Sequence, residues 1–371
     1  MVEMKAVGRK NLKKLKEFME EKNIDVILLS NSDVNVRYFS NFFGSCVLVI
    51  TDKRILFTNS LEFERAKKQA DVERIVNVKD FNYSYGEAIK RILGKIKRIG
   101  IVKSRFTLKF YENLKKRLKV EFINVENFLN ELRAVKFKEE IKLLKKSAKI
   151  ADSGIKIIEE TLTEVSKGRK IKERELASRL EEHLKKKGAE GLAFETLVAS
   201  AQRSSFPHPY PPASNQLIKK GLGYVDFGAV YKGYHSDITV PFVIGKINQE
   251  QKKIIKITEE AYNLALNSIQ IDLPTWKLYE KIEKFLNLKG FELKHGLGHG
   301  LGLTIHDSPS ISLKPKDKMQ LKEWKETKFK ENMVFTIEPG VYSNQGCRIE
   351  NDILLTRKGI KVLTSSRLIE A

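Results

Sequence analysis

The hydrophobic and polar positions of the first 130 residues alternate between helical and strand-like patterns. Segments with apolar residues at helical spacing precede short apolar or β-branched runs, and this order repeats. Such an alternation predicts a small layered α/β domain over residues 1–130. The predicted helices lie near 8–22 and 61–70, and the predicted strands are Val26–Ser30, 46–51, 54–57 and 99–102.

Residues 131–371 begin with helical patterns and continue in sequence typical of strands. Apolar residues recur at helical spacing from 125 to 163, which predicts a long helical region that bridges two domains, with the boundary near 130. A further helix is predicted over 173–187, and Gly188 ends it. Strand-like runs separated by Gly and Pro then extend to the C-terminus. Helices followed by hairpins predict an α+β domain.

Composition excludes several classes of protein. The chain has 371 residues, of which 41% are hydrophobic and 31% charged, so it is long enough for two or three domains with large cores. No apolar run approaches the roughly 18 residues that span a bilayer, and the Lys- and Glu-rich residues 1–21 lack the apolar core of a signal peptide. We therefore expect a cytoplasmic protein without a membrane partner. Cys46 and Cys347 are the only cysteines, which excludes a disulfide framework and a four-cysteine zinc site.

The net charge of +22 raises the question of a polyanionic partner. Residues 91–120 hold eleven basic side chains and one acidic side chain. Apolar residues are threaded through this segment, so we interpret it as the solvated face of folded structure. A nucleic-acid or other polyanion patch is the alternative, and it would make binding depend steeply on salt.

The first of two predicted hairpins carries two aspartates. A pair between Tyr231 and Tyr234 would place Gly228 opposite Asp237, and Asp226 would share the face of Gly228. Both carboxylates would then project from one side as diagonal neighbours, an arrangement that suits a shared cation. The alternative is two surface aspartates beside a turn, and a one-residue bulge would undo the facing geometry.

The second predicted hairpin carries two glutamates. A three-residue loop at 343–345 places Glu338 directly opposite Glu350, on strands that are otherwise largely apolar. Two facing carboxylates in such surroundings repel each other unless a proton or a metal ion neutralises them. We therefore predict a cation between them. The alternative is a pair of edge-strand glutamates that bind lysine side chains or Arg348.

Three of the six histidines cluster between His295 and His306, among four glycines. The glycines disfavour a helix and let backbone and imidazoles approach a site closely. Their spacing matches neither the dinucleotide-binding nor the P-loop pattern. Together with His299, the four carboxylates above match the ligand supply of a two-metal centre better than a nucleophile triad. No G-x-S-x-G elbow is present.

These segments, in this order, resemble the pita-bread metallopeptidases, specifically the proline-specific branch of Xaa-Pro dipeptidase (prolidase) and aminopeptidase P. Residues 33–42 resemble the creatinase-type N-terminal domain. The resemblance implies an α+β pita-bread (creatinase/aminopeptidase-like) catalytic domain over 131–371, preceded by a smaller α/β creatinase-type domain over 1–130. It rests on the D-x-G…GY-x-SD-x-T hairpin, the HG-x-GHG-x-G…H segment, the T-x-EPG-x-Y strand, the G-x-RIE ending and residues 203–208 and 131–141.

The resemblance also implies a ligand set for two divalent metal ions. Asp237 and Glu350 would bridge the ions. Asp226 would complete the binding of one ion, and His299 with Glu338 that of the other. Such a carboxylate-dominated set suits Mn or Co, with Zn or Fe as alternatives. A metal-bridging hydroxide would then attack the scissile carbonyl.

Roles for the side chains around the metals follow from the same resemblance. Glu338 would also be catalytic, because it would shuttle a proton from water to the leaving nitrogen. His306 and His208 would donate hydrogen bonds to the substrate and the tetrahedral intermediate, and His295 would line the pocket for proline. Arg348 would contribute to the substrate site and orient the glutamate ligand two residues after it. For each of the three histidines, a purely structural role is the alternative.

Three places depart from the family pattern. Ser310 replaces an arginine that often reads the free carboxylate of a dipeptide, unless Lys314 or Lys316 substitutes for it. We therefore expect a preference for longer peptides, as in aminopeptidase P. The sequences T-V-P at 239–241 and S-A at 200–201 replace the usual T-R-T and S-G, and we expect neither to touch a ligand.

The leading hypothesis is a dinuclear-metal peptidase that hydrolyses Xaa-Pro bonds in peptides with proline at the second position. A homodimer is expected from the resemblance. One alternative is a non-catalytic basic protein that binds peptides or nucleic acid on the same scaffold, motivated by the net charge. Another is a methionine aminopeptidase, which the extra N-terminal domain disfavours.

Overall fold

The structure is a computed structural model, and it describes residues 6–371. Residues 1–5, which begin the segment considered above for a signal peptide, lie outside the described residues. The chain divides into two compact units, the first ending at Leu132 and the second comprising Arg133–Ala371. Within the described range, no helix is both long and apolar enough to cross a membrane.

The first unit is built on a six-stranded mixed sheet. Its central strands are buried on both faces, which explains why they read as continuous apolar runs rather than as alternating patterns. The strands are β1 (Val26–Ser30), β2 (Cys46–Ile50), β3 (Arg54–Thr58), β4 (Arg74–Asn77), β5 (Arg98–Ile101) and β6 (Glu121–Asn124). The sheet order is β4-β3-β2-β1-β5-β6, with β1 antiparallel to β2 and parallel to β5.

The predicted helices and strands of this unit are confirmed, with shifted boundaries. The first helix starts at Leu12 rather than near residue 8, because Val7–Asn11 form a 3₁₀ helix. Several elements were not predicted, namely β4, β6 and the helices over Val34–Ser40, Tyr85–Leu93 and Leu108–Leu118. The helices are α1 (Leu12–Glu21), α2 (Val34–Ser40), α3 (Ser60–Gln69), α4 (Tyr85–Leu93) and α5 (Leu108–Leu118).

The basic segment 91–120 contributes to the core of this unit. Ile99 and Leu118 are buried, and Phe106 and Phe110 pack against the same apolar cluster. Most of its lysines and arginines are exposed. The segment is therefore folded structure with an outward basic face, in agreement with the interpretation of its apolar residues.

Three helices occupy the region predicted as one long helical stretch. Val135 forms an isolated antiparallel bridge with Met333, which interrupts the helical hydrogen bonding. The next helix then starts afresh, and the Phe137 amide donates to Glu140 Oε2 at 2.9 Å in its first turn. The helical character was predicted correctly, whereas the interruption depends on a distant strand. The helices are α6 (Glu126–Ala134), α7 (Lys138–Asp152) and α8 (Ile155–Ser166).

The remaining strands of the second unit form several small sheets. The strands are β7 (Gly191–Leu192), β8 (Leu197–Ser200), β9 (Gly221–Phe227), β10 (Ala229–Tyr231), β11 (Tyr234–His235), β12 (Ile238–Ile244), β13 (Gly298–Gly300), β14 (Asp307–Ile311), β15 (Val334–Ile337), β16 (Gly340–Tyr342), β17 (Gly346–Arg348), β18 (Asn351–Thr356), β19 (Gly359–Val362) and β20 (Ile369–Glu370). The sheet orders are β11-β10-β7, β20-β12-β9-β8, β14-β13-β15-β18-β19 and β16-β17. Helices pack on these sheets around apolar clusters.

The prediction of strand-like sequence from residue 188 to the C-terminus was wrong at two long helices, Gln249–Ser268 and Thr275–Leu288. The first of them has a reciprocal capping box, in which Asn248 Oδ1 accepts from the Gln251 amide and Gln251 Oε1 accepts from the Asn248 amide. Its buried Ile254, Ala261 and other residues recur at helical spacing, so the signal was present in the sequence. The helices are α9 (Glu173–Lys186), which confirms the predicted helix, α10 (Gln249–Ser268), α11 (Thr275–Leu288) and α12 (Lys318–Glu323).

Candidate metal centre

The first predicted hairpin forms with the predicted register. Tyr231 pairs with Tyr234 between β10 and β11, and on the far side Asp226 pairs with Thr239 between β9 and β12. The two pairs belong to different sheets, so strand pairing is interrupted between them. Asp237 lies at this interruption, between β11 and β12.

The second predicted hairpin behaves in the same way. Tyr342 pairs with Gly346, which confirms the three-residue loop. The same register returns between β15 and β18, and the ladder is interrupted where Glu338 and Glu350 lie. The Glu350 amide donates instead to the Thr239 carbonyl oxygen at 3.2 Å. This bond joins the two hairpins at their interruptions and brings their carboxylates together.

The glycine-rich segment supplies a strand that only glycine allows. At Gly298 a Cβ would collide with the carbonyl oxygen of Thr336, and at Gly300 it would collide with that of Ser308. The short strand β13 therefore fits between β14 and β15, and it carries His299 between the two glycines. The predicted absence of a helix and the predicted close approach of the backbone are both confirmed.

Asp237, His299 and Glu350 each offer one ligand atom, and these atoms lie within 4.8 Å of one another. His299 Nε2 is 3.4 Å from Asp237 Oδ2 and 3.7 Å from Glu338 Oε1. The charge of Asp226 also acts on Asp237 and Glu350. The structure thus brings together the five side chains that the sequence singled out as ligands.

Burial and mutual repulsion disfavour the charged forms of the carboxylates in this cluster. Burial and the negative charge of Glu350 raise the pKa of Asp237 and of Glu338 well above the usual range. Burial and the charge of Asp226 raise the pKa of Glu350 to about 7. Within residues 6–371, Asp226 Oδ1, Asp237 Oδ1 and Glu350 Oε1 are buried without a hydrogen-bond partner. Such oxygens are suited to a cation, so the residues present fit a divalent metal site.

Arg348 is buried and connects the cluster to its surroundings. Its Nη2 donates to Asp226 Oδ2, and its Nε donates to Thr239 Oγ1 at 3.0 Å. Thr239 Oγ1 in turn donates to Glu350 Oε2 at 2.7 Å. The expectation that segment 239–241 touches no ligand was therefore wrong. Arg348 pairs directly with Asp226 and reaches Glu350 through Thr239.

The three predicted site histidines surround the cluster. The hydroxyl of Tyr342 is 2.9 Å from His295 Nε2, and burial lowers the pKa of His295 to about 3. The ring of His306 lies edge-on to that of His299, with centroids 4.3 Å apart. Burial and the charge of Arg348 lower the pKa of His208.

Two participating side chains were not assigned roles from the sequence. Tyr342 links Arg348 to His295, because Arg348 Nη1 donates to its hydroxyl at 3.0 Å. Its place in the T-x-EPG-x-Y pattern was the available signal. Thr239 stood next to a recognised departure from the family pattern but was not connected with Glu350.

The fold and this site define a metallopeptidase with a small α/β N-terminal unit. Residues 142–357 match the model of metallopeptidase family M24, and residues 11–135 match the creatinase/prolidase N-terminal domain. The chain belongs to metallopeptidase family M24. The predicted α+β pita-bread class and the predicted hydrolase activity are thereby confirmed, and the non-catalytic alternative was wrong.

Several relatives match along nearly the whole chain. A Xaa-Pro dipeptidase of Pyrococcus furiosus is 35% identical over 96% of this chain and 98% of its own length. The solved prolidase of Pyrococcus horikoshii is 34% identical, with a TM-score of 0.84 over 97% of this chain and 99% of that structure. The solved X-Pro aminopeptidase of Thermotoga maritima is 30% identical, with a TM-score of 0.82 over 97% and 99%.

Proposed function

We propose that this metallopeptidase hydrolyses Xaa-Pro peptide bonds at a centre of two divalent metal ions. The observation that carries the proposal is the convergence of buried acidic side chains with oxygens that no described residue binds. The relatives named Xaa-Pro dipeptidase and X-Pro aminopeptidase support the substrate class. The ligands proposed are Asp226, Asp237, His299, Glu338 and Glu350.

Divalent cations in this site supply Lewis-acid activation of water and of the scissile carbonyl. We propose Mn or Co, because four carboxylates and one imidazole suit hard to borderline metals. Asp237, His299 and Glu350, whose ligand atoms lie within 4.8 Å of one another, would hold the cations together with Asp226 and Glu338. The Asp226 carboxylate is oriented by Arg348, which leaves its other oxygen available.

The chain's own residues handle protons and orientation. Glu338 stands beside His299 and His295, where its carboxylate is placed to take a proton from water and return it to the leaving nitrogen. His306 and His208 are proposed to donate hydrogen bonds to the substrate. Tyr342 fixes the ring of His295, which we assign to the proline side of the pocket.

We also propose a preference for peptides longer than two residues. Ser310 lies opposite His299 in the β13–β14 ladder, and its Oγ is 2.8 Å from Ser312 Oγ. Lys314, one of the two lysines that could take the place of the missing arginine, has its Nζ 5.7 Å from the ring of Trp276 and 5.2 Å from that of Trp324. We propose that these rings, rather than a dipeptide's free carboxylate, are the partners of Lys314.

The test compares Ala-Pro, Ala-Pro-Ala and Met-Ala-Ser as substrates of protein stripped of metal and reloaded with Mn, Co or Zn. We expect metal-dependent cleavage of Ala-Pro-Ala, slower cleavage of Ala-Pro and none of Met-Ala-Ser. Glu338→Gln should lower kcat by about 10³-fold. The matched control is Glu331→Gln, since Glu331 forms an ion pair with the exposed Arg357 away from the cluster.

Each result has a distinct meaning. Cleavage of Ala-Pro at least as fast as Ala-Pro-Ala would contradict the preference for longer peptides. Cleavage of Met-Ala-Ser in preference to both would make the protein a methionine aminopeptidase. A loaded protein that cuts none of the three would contradict the proposed substrate class.

We further propose a homodimer, on the basis of the family resemblance. Light scattering would then give a mass near twice the 42.6 kDa of the chain. A mass equal to that of one chain would overturn this proposal without affecting the others.

A further inference from the structure

His208 lies on a proline-rich loop between β8 and β9, defined here as the His208 loop (residues 201–213). Proline has no backbone N–H, so at four positions the loop has no backbone amide that can donate a hydrogen bond. Side chains elsewhere therefore donate to its carbonyl oxygens, and that of Pro212 also accepts from the Val198 amide at 3.1 Å. The four prolines are Pro207, Pro209, Pro211 and Pro212.

The part of the loop before His208 is bound by residues of the metal centre's surroundings. The hydroxyl of Tyr224 donates to the carbonyl oxygens of Phe206 and, at 3.3 Å, of Pro207. Arg348 Nη1 donates to the Pro207 carbonyl oxygen at 3.0 Å. This part of the loop is thus tied to the arginine that binds a proposed metal ligand.

The part after His208 is bound by Arg203. Its Nη1 donates to the carbonyl oxygen of Tyr210 at 3.4 Å, and its Nη2 donates to those of Pro211 and, at 3.3 Å, of Pro212. One guanidinium thus serves three successive carbonyls, which uses the planar fork that lysine lacks. His208 stands between the two bound parts.

Glu173, at the start of α9, is buried and binds Arg203 together with both ends of the loop. Its Oε1 accepts from the amide and the hydroxyl of Ser200, both at 2.9 Å. Its Oε2 accepts from the amide of Ser214 at 3.2 Å and from its hydroxyl at 2.5 Å. The Arg203 Nε lies 2.8 Å from the same Oε2. Ser200 directly precedes the loop and Ser214 directly follows it.

We propose that Glu173 and Arg203 are positioning residues that set the place of His208 beside the metal centre and thereby its contribution to catalysis. The kinetic part of this inference rests on the proposed function. The placement of the loop does not rest on it, because it follows from these hydrogen bonds and from the ion pair between Glu173 and Arg203. A merely stabilising role would lower the stability of the chain without acting through His208.

The experiment uses the metal-loaded full chain and a double-mutant cycle. Arg203→Lys keeps the charge and removes the fork, Glu173→Gln keeps the shape and removes the charge, and His208→Gln removes the imidazole. The control is Arg179→Lys on α9, the helix that begins with Glu173. Arg179 forms ion pairs with Glu164 and Glu175, which lie outside the loop.

We expect Arg203→Lys and Glu173→Gln each to lower kcat for Ala-Pro-Ala by about 10- to 100-fold, with Mn affinity unchanged within about twofold. In the His208→Gln background the same changes should cost less than about twofold, because they act through His208. Amide exchange in residues 201–214 should rise about tenfold in both variants. Arg179→Lys should alter none of these quantities.

Additive losses in the cycle would overturn the proposal, and so would unchanged exchange in the loop. If Glu173→Gln does not fold, the cycle of Arg203→Lys with His208→Gln is sufficient for the test. A wild-type protein that cleaves no Xaa-Pro peptide would end the proposed function instead. The exchange measurement then decides alone: faster exchange in the loop supports the placement, and unchanged exchange overturns it.

Discussion

Two buried carboxylate sites of the second unit differ in how far the chain itself satisfies them. Glu173 accepts four hydrogen bonds from two serines and faces one guanidinium. In the candidate metal centre, Asp226, Asp237 and Glu350 each keep a buried oxygen that no described residue binds. The chain thus supplies partners to both oxygens of the Glu173 carboxylate, whereas three oxygens of the candidate metal centre remain suited to a cation.

The difference follows from what each site packs against. The Glu173 carboxylate meets loop ends, where amides and hydroxyls are free to turn toward it. The carboxylates of the metal centre meet one another, because both hairpins change sheet at the same place. Repulsion between these carboxylates destabilises the fold, and a bound cation would relieve it. The single carboxylate of Glu173 has no such repulsion to relieve.

The largest expected effect comes from neutralising a carboxylate of the metal centre. Glu350→Gln should lower kcat/KM with Mn by about 10³-fold or more. At pH 8 it should raise the free energy of unfolding of the metal-free protein by about 2 kcal/mol, because burial and the charge of Asp226 raise the pKa of Glu350 to about 7 and so disfavour its charged form. Urea unfolding and steady-state kinetics measure both. A less stable metal-free variant would contradict the comparison.

The same change at Glu173 should act in the opposite direction on stability. Glu173→Gln should lower the free energy of unfolding by about 3 kcal/mol, because Arg203 loses its anionic partner in a buried position. Urea titrations with and without Mn should give the same loss. A loss confined to the metal-loaded protein would connect Glu173 with metal binding instead.

Changing the pH should distinguish metal-free from metal-loaded protein. The raised pKa of Glu350 means that protonation stabilises the metal-free fold, and this stability is lost as the pH rises through about 7. From pH 6.5 to 8 we expect the metal-free protein to lose about 1 kcal/mol relative to Glu350→Gln, in which this group cannot titrate. The histidines with lowered pKa act in the opposite direction, because they are half protonated in the unfolded chain at pH 6.5, but they contribute equally to both proteins.

With saturating Mn the trend should reverse, because the metal binds the ionised carboxylates. Melting temperatures of both forms at the two pH values provide the measurement. Parallel curves for the two forms would show that the carboxylate cluster is not the metal site.

The smallest effect concerns the backbone at the start of the His208 loop. Ala201 has a φ of 47°, in the left-handed region that glycine adopts without strain. Ala201→Gly should therefore raise the free energy of unfolding by about 0.5–1 kcal/mol. Ala199→Gly, within strand β8, is the control and should lower it. A destabilised Ala201→Gly protein would mean that the loop start relaxes when the methyl group is removed.

Several parts of the site were predictable because they depend on local rules. Turn length and the alternation of side chains set the register of both hairpins, and each register was confirmed on both sides of its interruption. The departure S-A at 200–201 was also visible, although only the structure shows that it places alanine at a positive φ.

Other parts were out of reach of local rules. The break between α6 and α7 depends on the bridge from Val135 to Met333. Both hairpins pass from one sheet to another near Asp237 and Glu350. That arrangement depends on packing between strands that are far apart in the sequence. The missed helix α10 is different, because its capping box and spacing were readable in the sequence.

The sequence by itself determined the family, the types of side chain proposed as ligands and the hairpin registers, since these follow from motifs and from contacts between nearby residues. Only the tertiary structure decided that Asp226 pairs with Arg348, and that Glu173 binds Ser200 and Ser214, which are 27 and 41 residues away. The physical reason is that hydrogen bonds between distant residues are selected by packing. A buried polar atom takes whichever donor the fold places beside it, and the sequence does not state which one that is.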